Sequence, residues 1–568
     1  MSVQGLAAAQ AKTGVGRQSW DLILVLLRLA ALAVLVLLAV SPWRLPYPLT
    51  DSAVFQWVGD RLRLGEVPYR DWFDHKPPLI YFINALGLNL GRGSSWGVWA
   101  LEVVSLTAAA AVAWGWLGRV FSRRTAWLAV TILLVQVPFV LDGGNLTEEY
   151  GLPFQFLAYS LLTGLLSGTA RRSRLSLFLL GLTVGVLSSL KPNLVFGLLV
   201  LVFLAFETRR RPLWQVLGQL AVFAVGVGGI WLIWLVYFGL QGALAEFWRA
   251  VIVYNRGMND LPAALATGLW INLASIARQS IWFVFGPFLW LAGLLALKRL
   301  RAGSGAEPPA KLAWAACLIA GIDFPITLLA MNLTGNGFLH YLLPVVPALT
   351  VLTAATVFLL EGRWLKLHWQ RLPQIFVLLL VGAALLNGLV SLGMAYLTPA
   401  DQSTGLLAGW VRQHSTADAR ILQWGMETGV YRASERMAAS AVFFALPLFT
   451  PNPVSAELTG QLLADLKADP PELILDSISP VWPLLRPTAG QPCALAGNPD
   501  WINRQVDERY RAVTEKLAEI NLPATPVTAR PVIHPAMGEL YRWVCQNYHY
   551  EANIPGSFWQ VYRKNPNL

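Results

Sequence analysis

Residues 213–240 read LWQVLGQLAVFAVGVGGIWLIWLVYFGL, a run without a charged side chain that directly follows Arg209-Arg210-Arg211-Pro212. A helix of this length and composition can span the hydrocarbon core of a bilayer, which is roughly 30 Å thick. Comparable apolar runs recur along the chain. We predict eleven spans, near residues 20–41, 97–118, 125–141, 153–169, 175–190, 193–206, 213–240, 280–297, 312–331, 340–360 and 373–397.

The composition agrees with a membrane protein of many spans. Of the 568 residues, 55% are hydrophobic and only 13% are charged, and the mean hydropathy is +0.52. These values exclude a soluble enzyme, a disordered chain and a coiled coil. The net charge of +11 comes from residues 1–397, which carry 29 basic and 16 acidic side chains. We therefore relate this charge to membrane orientation and predict no nucleic-acid partner.

Basic residues occupy every second loop between the predicted spans, as in Arg119 with Arg123 and Arg124, or Lys298 with Arg299 and Arg301. The loops near 142–152 and 332–339 contain no Lys or Arg. Since basic loops stay in the cytoplasm, the N-terminus is predicted to be cytoplasmic. With an odd number of spans, residues 398–568 lie outside. This predicts a multi-pass protein of a bacterial-type inner or plasma membrane.

Two domains follow from this topology: a membrane domain at 1–397, with a large outer loop at 43–95, and an extracytoplasmic domain at 398–568. In the second domain we predict strands at 419–424, 472–476 and 557–562, and amphipathic helices at 457–468 and 501–520. That mixture indicates a compact α/β domain. Cys493 and Cys545 lie in it and could form a disulfide, whereas Cys317 lies in an apolar run.

The outer loop 43–95 carries polar residues next to the membrane. Residues 51–64 have helical spacing, with Val54, Trp57, Val58 and Leu62 on one side, and predict a helix along the interface. Asp51 opens this helix, where it can simply cap the helix or act in a site. The string Asp74-His75-Lys76-Pro77-Pro78-Leu79 follows, and Lys76 can either reach lipid phosphate or serve a site.

Further polar residues lie near the predicted outer ends of later spans. The loop Asp142-Gly143-Gly144-Asn145-Leu146-Thr147-Glu148-Glu149 has three carboxylates and no basic partner, which suits either a solvated helix end or a site. His340-Tyr341 precedes span ten, and Lys191 lies between spans five and six. The Asn-x-Thr triplets at Asn145 and Asn332 match the glycosylation sequon, and we interpret both as chance.

These outer motifs resemble the GT-C glycosyltransferases, in particular the protein O-mannosyltransferase and lipid A aminoarabinose transferase group. The resemblance lies in an Asp that opens an outer helix, then Gly-x-x-Pro-Tyr at Gly65–Tyr69, then Asp-His-Lys-Pro-Pro-Leu at Asp74–Leu79. It implies a mainly α membrane protein of about eleven transmembrane helices with a C-terminal extracytoplasmic α/β domain. In many members of this group a Glu follows this Asp, whereas Ser52 follows Asp51 in this sequence. Any role that needs a second carboxylate at this position, including metal binding, is therefore in doubt.

The resemblance also implies an activity, an inverting transfer of a sugar from a polyprenyl-phosphate donor to an acceptor glycan, lipid or protein on the outer face. Asp51 is then the base, and Glu148 positions the acceptor or tunes Asp51. The residues implied to bind the donor or its phosphate are Lys76, His75, Asp74, Tyr69, Lys191, His340 and Tyr341. No cofactor is certain, although a divalent cation held by Asp51, Glu148 or Asp142 remains open.

Three other functions stay open at this stage, one of which is a binding or scaffold role of the outer domain with catalytically idle membrane helices. A transporter or flippase of lipid-linked sugars would place ionisable residues near the middle of the bilayer and often shows two related halves. In this sequence the ionisable residues lie in the predicted outer loops, and no two related halves are visible. An O-antigen ligase or polymerase carries different loop motifs. No Gly-rich phosphate loop or His/Cys cluster with metal spacing is present in the sequence, so a nucleotide-sugar donor is not predicted.

Overall fold

The structure is a computed structural model of the chain. It describes residues 3–170, 172–192, 196–257, 280–303, 308–331, 338–361, 371–397, 402–450, 452–479, 482–487, 490–519, 533–555, 557 and 559–567. The second sequon residue, Asn332, and much of the segment 241–279 lie outside the described residues.

The described part of the first 397 residues is helical. Its helices are α1 (Val3–Leu37), α2 (Thr50–Arg63), α3 (Leu79–Leu90), α4 (Trp96–Val120), α5 (Arg123–Gln136), α6 (Thr147–Leu166), α7 (Ser173–Leu190), α8 (Phe196–Glu207), α9 (Leu213–Leu240), and the helices Leu244–Trp248, Asn255–Gly257, Ile281–Val284, Gly286–Gly303, Pro308–Ala330, Val346–Glu361 and Arg371–Leu397. Short 3-10 turns cover Leu38–Val40, Val137–Val140 and Leu339–Val345, and a π-helical turn covers Arg249–Tyr254.

Seven described segments are long and apolar enough to cross a membrane: Trp20–Val40, Trp96–Val120, Arg123–Val140, Ser173–Leu190, Leu213–Leu240, Ala310–Ala330 and Leu339–Leu359. They confirm an integral membrane protein and coincide with seven of the eleven predicted spans. The other four predictions fall on α6, α8, Gly286–Gly303 and Arg371–Leu397. For these helices a full crossing stays a prediction.

Helices α7 and α9 pack closely through glycine residues. In a membrane the hydrophobic effect does not drive helices together, so close packing has to hold them. Gly181 of α7 and Gly226 of α9 face each other's backbone. A Cβ at Gly181 would meet the Phe223 carbonyl oxygen at 2.2 Å, and one at Gly226 would meet that of Phe178 at 2.4 Å. Small residues at a helix interface permit this close approach, which gains dispersion contacts in lipid.

The C-terminal part forms a five-stranded sheet covered by helices. The strands are β1 (Arg420–Trp424), β2 (Met437–Ala438), β3 (Leu473–Asp476), β4 (Tyr548–Asn553) and β5 (Gln560–Lys564), in the order β2-β1-β3-β5-β4. The first three are parallel, whereas β5 is antiparallel to β3 and β4. The helices are Ser403–His414, Gly429–Ser434, Pro453–Ala468, Pro499–Glu519 and Pro535–Asn547. The predicted mainly α membrane protein with a C-terminal α/β domain is confirmed.

Helix α2 is enclosed on more sides than its sequence indicates. Ser52 to Gly59 are all buried, because α2 packs between α3 and the outer sheet domain. Trp57 contacts Tyr431 and Phe443 of that domain, with ring centroids 5.0 and 6.3 Å apart. The expectation of a helix with one apolar side on the membrane surface was therefore too simple. The first outer loop shares its hydrophobic core with the outer domain.

Cys493 and Cys545 form a disulfide, and Cys317 is free and buried. The bond joins the turn Cys493–Gly497 to helix Pro535–Asn547 and closes a loop of sequence separation 52. A closed loop of this size lowers the entropy of the unfolded chain, which is worth about 4 kcal/mol.

We predict one free thiol in the oxidised, denatured wild type and two in Cys493→Ser. In this variant the C-terminal domain should lose about 4 kcal/mol of stability, because its unfolded chain has more conformational freedom. Thiol titration with and without reductant measures the first number, and urea titration followed by limited proteolysis measures the second. Three free thiols in the unreduced wild type contradict the bond.

Candidate active site

Asp51 lies in the first turn of α2 and contacts Lys76. The distance from Lys76 Nζ to Asp51 Oδ2 is 3.3 Å, and the two side chains are 13% and 21% exposed. Thr50, directly before Asp51, has a φ of +40°, a strained value for a β-branched residue. Asp51 and Lys76, which are 25 positions apart in the sequence, therefore form an ion pair at the start of α2.

The loop before α3 holds Lys76 by its backbone. Tyr69 donates its hydroxyl to the Lys76 carbonyl oxygen at 2.6 Å. Asp74 is buried and accepts from the Tyr81 hydroxyl and from the backbone N–H of His75, both at 2.6 Å. Tyr69 and Asp74, which resemblance assigned to donor binding, thus face the loop's own interior. Their contacts position Lys76.

His75 is also turned away from solvent. Its ring lies against Tyr254, with centroids 5.2 Å apart, and its carbonyl oxygen accepts from Asn255 Nδ2 at 2.7 Å. Asn255 follows the π-helical turn Arg249–Tyr254. Such turns often occur at functional sites. Tyr254 and Asn255 therefore pack on the loop that carries Lys76.

A second ion pair joins Glu148 at the start of α6 to Lys191 at the end of α7. Thr147 donates its hydroxyl to Glu148 Oε2 at 2.6 Å. Lys191 Nζ also lies 3.8 Å from the ring centroid of Tyr341, a cation–π contact. A third pair joins His340 Nδ1 to Asp142 Oδ2 at 3.1 Å.

We call these six residues, Asp51, Lys76, Glu148, Lys191, Asp142 and His340, the outer charge cluster. Their charges act on one another. Burial raises the pKa of the Asp51 carboxyl, but Lys76, and after it His340, Lys191 and His75, outweigh burial and bring this pKa to about 2. Burial lowers the pKa of Lys76, yet Asp51, Tyr341, Asp74 and Glu148 raise it above its ordinary value. Asp51 and Lys76 are therefore both ionised at neutral pH.

The residues predicted as metal candidates are placed differently from a metal site. Among the residues that the structure describes, no group of three or more His, Cys, Asp or Glu side chains could hold a metal ion. Asp51, Glu148 and Asp142 instead each contact a cationic or imidazole side chain. A divalent cation in this protein stays a prediction.

Sequence reasoning missed three polar residues that the structure buries near the site or in the membrane. Asn145, set aside as a chance sequon, is 2% exposed and makes several hydrogen bonds. Tyr81 supports Asp74. Asp323 lies inside Ala310–Ala330 and accepts from Tyr159 and Thr327 at 2.6 and 2.9 Å. Only Asp323 carried a sequence signal, since a carboxyl within an apolar span needs a partner.

We predict that Lys76→Gln raises the pKa of Asp51 from about 2, because burial continues to raise it while the nearest positive charge is gone. In the wild type the ion pair stabilises the fold above the ordinary pKa of 3.8 and is lost as the pH falls toward 2. Infrared spectra, taken as the difference from the matching Asp51→Asn protein, measure the titration.

Lys298→Gln is the control, because this exposed lysine lies in a predicted cytoplasmic loop, and it should leave the Asp51 titration unchanged. An Asp51 carboxyl that titrates identically with and without Lys76 shows that the pair does not set its charge.

Comparison with known proteins agrees with this architecture. Residues 75–234 match the family model of the dolichyl-phosphate-mannose-protein mannosyltransferases. No protein of curated function matches the sequence.

Three solved structures share the fold. ArnT from Cupriavidus metallidurans in the apo state is 15% identical with a TM-score of 0.50, over 81% of this chain and 93% of that one. The same protein bound to undecaprenyl phosphate gives 15% and 0.50, over 79% and 92%. The apo oligosaccharyltransferase of Archaeoglobus fulgidus gives 11% and 0.50, over 96% and 88%. The protein is therefore a membrane glycosyltransferase with the GT-C fold, similar to the protein mannosyltransferases and to ArnT.

Proposed function

We propose that the protein transfers a sugar from a polyprenyl-phosphate donor to a hydroxyl of an acceptor glycan, lipid or protein on the outer face of the membrane, with inversion. The observation that carries this proposal is the outer charge cluster, which brings together carboxylates and ammonium groups at the outer ends of helices. ArnT, which shares the fold, has been crystallised with undecaprenyl phosphate, and this supports a lipid phosphate as the carrier.

The topology supports an outer reaction. The cluster lies at the ends of α2, α6 and α7 that the positive-inside rule assigns to the outside. The disulfide of the C-terminal domain is typical of an oxidising compartment. We therefore propose a cytoplasmic N-terminus, a C-terminal domain outside, and a plasma-membrane location of the bacterial type.

Lys76 and Lys191 are the groups that fit the leaving phosphate. As the bond between the anomeric carbon and the phosphate oxygen breaks, the bonding electrons and a negative charge pass to the polyprenyl phosphate. Ammonium groups fixed near that oxygen stabilise the charge as it develops. His340 adds a hydrogen-bond donor at the edge of the same cluster.

Asp51 fits the base of the same reaction. The acceptor oxygen attacks the anomeric carbon from the face opposite the phosphate, and its proton passes to the Asp51 carboxylate. Ion pairing with Lys76 lowers the pKa of Asp51 to about 2 and so weakens it as a base. A phosphate that shares the Lys76 charge raises this pKa, so donor binding makes Asp51 a better base. Glu148, held by Lys191, positions the acceptor.

We predict that Asp51→Asn lowers transfer by 10²–10⁴-fold, the usual contribution of a positioned base, with the fold and donor binding retained. Reconstituted protein with a radiolabelled polyprenyl-phosphate sugar and an extract of acceptor glycans and lipids measures transfer. Asp60→Asn is the matched control, because Asp60 lies in the same helix but pairs with Arg63 at 2.6 Å, and it should keep transfer.

Full transfer by Asp51→Asn contradicts the role of Asp51. Movement of the lipid-linked sugar across the bilayer without transfer would instead favour a flippase. The anomeric configuration of the product, read by NMR, tests the single displacement, since retention requires a covalent intermediate that one base does not supply.

A further inference from the structure

The second predicted outer loop, which runs from Asp142 to Leu146, has an unusual backbone. Asp142, Gly143, Gly144 and Asn145 all have positive φ, at +44°, +94°, +81° and +57°. Glycine adopts these values freely, but a residue with a side chain pays for them. Asn and Asp tolerate them best of the others. Four such residues in a row persist only where the surrounding structure holds them.

Asn145 makes the contacts that hold this turn. Its Nδ2 donates to Ser52 Oγ at 3.0 Å and to Asn84 Oδ1 at 2.8 Å, and its Oδ1 accepts from Asn84 Nδ2 at 3.1 Å and from the Tyr150 hydroxyl at 3.2 Å. One buried side chain thus joins α2, α3 and α6.

Two carboxyl groups hold the backbone of the same turn. Glu102 of α4 accepts from the Asn145 N–H, and Glu149 of α6 accepts from the Leu146 N–H at 3.5 Å. Both carboxyls are buried. Gly144 is required here, because a Cβ would lie 2.6 Å from Glu102 Oε1.

Each helix that Asn145 contacts either carries a member of the outer charge cluster or begins shortly after one. Ser52 is the neighbour of Asp51 in α2. Asn84 lies in α3, which begins three residues after Lys76, and Tyr150 lies two residues after Glu148 in α6. Asn145 therefore hydrogen-bonds to residues that lie within eight positions of all three charged residues.

We propose that Asn145 is a positioning residue, which, through Ser52, Asn84 and Tyr150, sets the register of α2, α3 and α6 that brings Asp51, Lys76 and Glu148 together. The inference rests on the proposed transferase function.

Neighbouring features fit a positioning role better than a binding role. The pocket beside Asn145, which Ser52, Gln56 and Glu102 also line, has a volume of about 20 Å³, enough for one water molecule and too small for a sugar. Asn145 is buried and fully bonded, so its sequon is not available for glycosylation.

Asn145→Gly tests the proposal, because glycine keeps the φ of +57° without strain and removes only the side-chain contacts. We expect kcat to fall on the order of 10²-fold, the cost of a misplacement of about 1 Å. The stoichiometry of polyprenyl-phosphate binding should stay at the wild-type value, since Lys76 and Lys191 remain, and the affinity should fall less than kcat does. Ser52→Ala should lower kcat less, and the two changes together should be less than additive.

Glu435→Gly is the matched control, since Glu435 is exposed and has a φ of +58° in the outer domain, and it should keep wild-type kcat. A wild-type kcat in Asn145→Gly overturns the proposal. A loss of donor-binding stoichiometry as large as the loss of kcat also overturns it, because the variant has then simply unfolded. A wild type that transfers no sugar contradicts the proposed function itself, a result distinct from both.

Discussion

Charges removed from water must be paired, and this constraint shapes the region where the membrane domain meets the C-terminal domain. Asp51, Lys76, Glu148 and Lys191 have side chains that are only 2–21% exposed. An isolated ion at such a position costs several kcal/mol, and loss of one partner leaves the other uncompensated. The chain meets this cost by bringing opposite charges from distant segments to one place. The first outer loop, the second outer loop and the end of α7 each contribute to it.

Arg432 and Trp57 show how the outer domain secures the helix that carries Asp51. Arg432 donates to Gln56 Oε1 and to the Gly93 carbonyl oxygen, both at 2.7 Å, while Trp57 packs against Tyr431. On the other side, a Cβ at Gly59 would meet Asn84 Cβ at 2.8 Å. The C-terminal domain therefore contacts the helix that carries Asp51 directly. The same arrangement explains why α2 is more buried than a surface helix.

Much of this architecture could be predicted from the sequence, because long apolar runs and basic loops report directly on membrane spans. Asp51 and Lys76 could be singled out because ionisable residues beside spans need a reason to be there. The inward direction of Asp74 and Tyr69 could not be predicted, since a motif shows which residues are present and not which way they face. Asn145 was missed for a related reason. Its partners Ser52 and Asn84 are 93 and 61 positions away, and no local pattern reports such contacts. Strands β2 and β4 escaped prediction because one is two residues long and the other lies at the sheet edge with little apolar alternation.

The proposed reaction requires that Lys76 holds a lipid phosphate beside Asp51. A structure of the protein with a bound polyprenyl phosphate tests it most directly, through the distances from Lys76 Nζ to the phosphate and to Asp51. We expect a phosphate oxygen about 2.7–3.2 Å from Lys76 Nζ. We also expect that the Asp51 carboxylate has moved out of its 3.3 Å contact with Lys76 and faces the sugar. A phosphate held elsewhere, with the Asp51–Lys76 pair intact, would contradict it.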